Sequence, residues 1–144
     1  MALDEFTRAY IEAALWSSTA YGSDAEKEDI EENGEGHFDT SFESLGYDQA
    51  DLAPESLASM EKDCTSFQAD NAELLERWYG EAGESPERAG HDFWLTRNHH
   101  GAGFWDRWNG ATPQGQIGKQ LTDAAHAYGE SNLMMGDSEL IYAD

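Results

Sequence analysis

The chain has 144 residues, 30 acids against 8 Lys and Arg, a net charge of -22 and a single cysteine, Cys64. That length holds one domain and one core. The charge excludes unaided binding to nucleic-acid phosphates or to an anionic membrane, and one cysteine excludes an internal disulfide or a four-thiolate metal centre. A mean hydropathy of -0.73 with so much charge is a mark of disorder, but five Trp, six Tyr and six Phe supply large apolar groups that a packed core needs. The expectation is one folded domain over 1–144 with a mobile acidic insert at about 17–37.

In chain order, residues 4–16 read as a helix: Phe6, Tyr10, Ala13 and Ala14 recur at helical spacing behind Asp4 as N-cap. MALDEFTRAY carries acids where a secretory signal would carry Lys or Arg, and no apolar run reaches the roughly 20 residues that span a bilayer, so a cytoplasmic protein without membrane contact is expected. The segment 17–37 is rich in Gly, Ser and acid; Asp24 to Glu35 alone holds seven acids and one lysine. Phe38, Phe42, Leu45, Tyr47 and Leu52 then offer scattered anchors to a core.

A long helix is expected over 54–79, opened by Pro54 and marked by Leu57, Met60, Cys64, Phe67, Asn71, Leu74 and Trp78 at alternating steps of three and four. GEAGESPERAG (80–90) reads as a loop. DFWLTRN (92–98) and FWDRW (104–108), two aromatic runs around a Gly-rich segment, read as a β-hairpin, with Arg97 and Asp106 as a cross-strand ion pair. Ile117, Leu121, Ala124, Ala125 and Tyr128 give a short helix ended by Gly129, and NLMM (132–135) and ELIY (139–142) a second hairpin around Gly136-Asp137-Ser138. The predicted fold is therefore α+β: two N-terminal helices, then an antiparallel sheet of about four strands in two hairpins, with an intervening helix.

The segment HDFWLTRNHHGAGFWDRW, followed by LTDAAHAYGESNLMMGDSELIY, resembles a family of small, largely uncharacterised proteins encoded by bacteriophages and other mobile elements. Its pattern is approximately DFWLTRNGHGAGFWDR, then a helix ending in AYG, then a strand and a GD turn. YIEAALWSST and DLAPESLASMEKDCTSF resemble the family's N-terminal helix and long helix, so the resemblance spans most of the chain. His99 departs from it, standing where the pattern has Gly, and the insert at 22–36 is richer in acid. The resemblance implies a phage-like product acting inside a bacterial host cell.

Three constellations bear on function. His91, His99, His100 and Asp106, with Asp92 nearby, are the residues with metal or acid–base potential, as in a small metal-binding protein or hydrolase; the bland alternative is turn residues. No HExxH, CxxC or nucleophile elbow accompanies them. Asp29, Glu31, Asn33 and Gly34 mimic half of a Ca²⁺ loop, but Thr40 stands where its bidentate Glu belongs. Trp94, Phe104, Trp105 and Trp108 lack the basic groove of a base-stacking platform; core packing suits them better, with Trp105 and Trp108 as aromatic anchors for a protein partner.

The third constellation is the acids. Residues 1–51 hold 14 acids against two bases, residues 93–144 six against three. Carboxylates three or four residues apart on a helix lie about 5–6 Å apart at Cβ, comparable to the spacing of phosphates along a strand. Asp24, Glu26, Glu28, Asp29, Glu31, Glu32, Asp63, Asp70, Glu73 and Glu76 are the candidates to imitate phosphates toward a protein built to grip nucleic acid. Salt adaptation is the plain alternative, although acids concentrated in one half and the absence of valine are not what a general composition bias produces. The leading expectation is a phage-type acidic inhibitor, a DNA or RNA mimic that blocks the binding groove of a host defence protein such as a restriction or CRISPR component. It needs no catalytic residue, no cofactor and no direct nucleic acid, and it leaves room for a homodimer. A protein-interaction module without mimicry is the remaining alternative.

Overall fold

A computed structural model of the protein describes residues 3–18, 41–99, 103–136 and 140–143. The acidic segment 19–40, and with it Asp24, Glu26, Glu28, Asp29, Glu31 and Glu32, lies outside the described residues, as do His100 and the turn at 137–139. The elements are α1 (Glu5–Ser17), α2 (Pro54–Asp70), α3 (Ala72–Glu81), α4 (Pro86–Arg97) and α5 (Pro113–His126), then β1 (Leu133–Met135) and β2 (Ile141–Ala143). Short 3₁₀ turns occur at Gln49–Asp51 and Phe104–Asp106.

This corrects the α+β expectation. The protein is mostly helical, and among the described residues its one sheet is a two-stranded antiparallel pair, with Leu133 opposite Ala143 and Met135 opposite Ile141. The expected first hairpin is absent because DFWLTRN is the second half of α4 and FWDRW contains a 3₁₀ turn. Ser85 caps α4, accepting from the Arg88 N–H at 3.1 Å, and Pro86 takes the first helical position. Ala89, Gly90 and every residue from Asp92 to Arg97 are buried. A helix buried on nearly all sides loses the polar half of its 3.6-residue period, so its aromatic run resembles a strand.

The expected long helix is two. Asn71, at φ -120° and ψ 24°, ends α2 while its side chain donates to the Phe67 carbonyl at 2.9 Å. Of the expected stripe, Met60, Cys64 and Phe67 are buried from α2 and Trp78 from α3, whereas Leu57 and Leu74 are half-buried and Leu75 is the buried leucine of α3. Periodicity of burial continues through a joint that the backbone does not, so the pattern alone could not reveal it.

The core is aromatic. Phe67 stacks on Phe93 with ring centroids 4.1 Å apart, and Phe6, Tyr10, Phe104 and Tyr128 surround the pair. α1 crosses α4 closely: Gly90 faces the Phe6 carbonyl, and a Cβ there would overlap that oxygen. Phe42 and Leu52 are buried as the scattered anchors implied, with Leu45 and Tyr47 packed beside them.

The N-cap of α1 is as read. Asp4 accepts from the Thr7 N–H at 2.8 Å and from the Gln68 amide at 3.2 Å. Partial burial alone would raise the Asp4 pKa, but the hydrogen bonds from Thr7 and Gln68 outweigh it and hold the carboxyl below its ordinary value. A lowered pKa contributes stability that is complete above the unfolded carboxylate range and is lost as pH falls through the folded value. Asp4→Ala should therefore cost about 1 kcal/mol at neutral pH, with the difference from the parent shrinking in acid; urea denaturation at two pH values measures it.

At the other end of α4, His99 takes φ +59°, a region that glycine fills without strain. The position at which this chain departs from the resembled motif is thus one where glycine is the easier residue. His99→Gly should stabilise the protein by about 1 kcal/mol in thermal melts. Stacking of His99 on His126, with ring centroids at 4.5 Å, opposes that gain.

Candidate functional site

The polar residues of the DFWLTRN segment hold the fold together. Asp92 is fully buried and receives Arg107 bidentately, Nη2 at 2.6 Å and Nε at 2.9 Å. The Trp94 indole donates to Ser17 Oγ at 2.8 Å. Thr96 Oγ1 accepts from the Phe104 N–H at 3.0 Å, and Asn98 accepts from the Ser131 N–H at 2.8 Å. Arg97 is buried at the centre. Its guanidinium donates to the carbonyls of Gly129 (2.8 Å) and Tyr128 (3.1 Å), to the Tyr10 hydroxyl (2.9 Å) and to Asp63 (2.9 Å), and it lies 5.7 Å from the Phe93 and Tyr128 ring centroids. Burial opposes its charge, but Tyr10 and Asp63 outweigh that and raise its pKa. The expected Arg97–Asp106 pair is replaced by Arg97–Asp63 and Arg107–Asp92.

Among the described residues the candidate metal ligands are not gathered into a metal site. His91 and His99 are eight residues apart along α4 and its cap, a rise of about 12 Å. His91 Nδ1 lies 3.2 Å from Asp92, and its ring packs against Trp16 at 5.7 Å, whereas His99 stacks on His126. Among the described residues no group of three or more His, Cys, Asp or Glu is placed to hold a metal ion.

Of the candidate phosphate mimics, Asp63 is half-buried and occupied by Arg97. Asp70, Glu73 and Glu76 are exposed, but they do not share one continuous helix, because the break at Asn71 separates Asp70 from the other two. Glu73 and Glu76 lie on the side of α3 away from buried Leu75 and Trp78. With Glu55 and Glu61 these residues make up the exposed acids of α2 and the first half of α3, and none forms an ion pair among the described residues. Further along α3, Glu81 is paired with Arg77 at 2.7 Å. Trp105 and Trp108 are 51% and 37% exposed, and the Trp108 indole donates to Glu84 at 3.3 Å.

A site that the sequence reading missed is an open cleft of about 790 Å³ between α1 and α4. Arg8, Glu12 and Trp16 line it at four-residue steps along α1, together with Glu87, Arg88 and His91 of α4 and with Arg107. The row on α1 stands at helical spacing in the sequence, beside an apolar face that is the stronger signal.

Comparison with protein-family models, with curated proteins and with solved structures finds no match. Among the described residues no helix is long and apolar enough to cross a membrane.

Proposed function

We propose that this protein is an acidic inhibitor that occupies the nucleic-acid-binding surface of a host protein, its carboxylates standing in for phosphates. The observation that supports this reading is the disposition of charge. Arg97 and Arg107 are drawn inward to Asp63 and Asp92, while Glu55, Glu61, Asp70, Glu73 and Glu76 remain exposed and without ion pairs among the described residues. Two of the bases are used in building the fold, and these five carboxylates are left outside. A partner carrying a Lys- and Arg-lined groove would gain by releasing its bound anions to such a surface. The mechanism is competitive occupancy and requires no reaction. A host-cell lysate passed over the immobilised protein at graded salt tests it: proteins that bind nucleic acid should be retained at low salt and elute as salt rises. Retention indifferent to salt would defeat the electrostatic mechanism.

A second reading, an interaction module without mimicry, has support in the exposure of Trp105 and Trp108. On that reading Trp105→Ala should weaken partner capture by about tenfold or more, and neutralising acids should matter little. Comparing the two sets of variants in the same capture assay separates the readings.

A further inference from the structure

We propose that the cleft between α1 and α4 binds a small zwitterion bearing an aromatic ring, an aromatic amino acid or a dipeptide with both ends free. This inference stands apart from the acidic-surface reading. In a chain with a net charge of -22, three of the five arginines, Arg8, Arg88 and Arg107, line this one opening, Arg107 being held by Asp92. Four carboxylates line it too, Glu5 and Glu12 from α1, Glu43, and Glu87 from α4.

Arg8, Glu12, Glu87 and Arg88 are exposed, and among the described residues none is in an ion pair; Arg8 reaches only the Leu3 carbonyl, at 3.3 Å. On α1, Arg8 precedes Glu12 by four residues, the less favourable order for pairing along a helix. Both signs of charge are therefore presented to a visitor instead of being neutralised against one another. A simple anion would meet the glutamates and a simple cation the arginines; a ligand carrying both charges can satisfy each.

The third feature is Trp16. Its side chain is 45% exposed and lies beside the His91 ring, at 5.7 Å and 31°, both rings lining the cleft. A partly exposed indole in a cleft wall is a surface for a flat apolar group. Buried Asp92 holds His91 on one side and Arg107 on the other, so the α4 side of the cleft is fixed by the core. The volume falls within the usual range for small-ligand sites and exceeds one amino acid, which leaves room for a dipeptide. The guanidinium groups of Arg8 and Arg88 would take the carboxylate, the glutamates the ammonium, and Trp16 the ring.

Calorimetric titration of the whole protein with L-phenylalanine, 3-phenylpropionate, phenethylamine and the dipeptide Gly-Phe tests the assignment. The expected result is saturable binding of L-phenylalanine or of Gly-Phe with a Kd of about 1 mM or tighter, with both singly charged analogues about tenfold weaker. Binding of the dipeptide alone assigns the ligand to a short peptide with both ends free, and binding of L-phenylalanine alone assigns it to the free amino acid; either supports the site. The double variant Arg8→Gln, Arg88→Gln should bind about tenfold more weakly with an unchanged thermal melt, because both side chains are exposed. Equal binding of the zwitterion and both analogues, no binding by any probe, or an unaltered affinity in the double variant would each overturn the proposal.

Discussion

Arg97→Lys should lower the stability of the protein by about 3 kcal/mol and its Tm by about 10 °C. The guanidinium serves two backbone carbonyls, a buried phenol and a carboxylate in one planar fork, joining α1, α2 and the turn after α5 to α4. A lysine has three donors on a point-like head and cannot reach all four acceptors. The Tyr10 hydroxyl and the carbonyls of Tyr128 and Gly129 would lose donors in a site from which water is largely excluded, each at about 1 kcal/mol or more. Arg97→Met tests the same point without the charge: Asp63 is partly exposed and can hydrate, so the loss should again come from the three other acceptors. Chemical denaturation of both variants gives the number. A loss below about 1 kcal/mol for either would mean that Arg97 is not the fastening described.

The second large effect concerns binding. The triple substitution Asp70→Asn, Glu73→Gln and Glu76→Gln should weaken capture of a cationic partner by about tenfold or more, each exposed carboxylate contributing about 0.5–1 kcal/mol. The fold should be unharmed. None of the three has a base partner among the described residues, and removing like charges from a chain this acidic relieves self-repulsion, so the melting temperature should hold or rise. Asp63→Asn belongs to a different class despite its similar appearance in the sequence. It would release Arg97 and cost stability, and any loss of binding it caused could come from the fold. The melting curve separates Asp63 from the other three.

What the sequence made legible was local. Asp4 and Pro54 announce helix starts by capping chemistry that depends on the neighbouring residues alone, and Gly129, at φ +74°, closes the segment after α5 as a positive-φ residue should. The C-terminal pair of strands was legible for the same reason. Two things were not. The helix α4 is buried on nearly every side, so nothing polar marks its period, and Phe93, Trp94 and Thr96 favour strands by local preference while tertiary packing makes them helical. The partners of Asp92 and Arg97 lie 15 and 34 residues away, at Arg107 and Asp63, and no spacing rule selects those over Asp106. The DFWLTRN segment is therefore mainly a fastening of the fold.

The central claim is that the outward carboxylates imitate phosphates. Competition tests it most directly. A captured partner is bound to fluorescent duplex DNA or RNA, and this protein is added while anisotropy is followed. The account predicts displacement of the nucleic acid, weakening as salt rises and lost in the Asp70, Glu73, Glu76 triple variant. Formation of a ternary complex, with the nucleic acid still bound and the protein bound beside it, would contradict it.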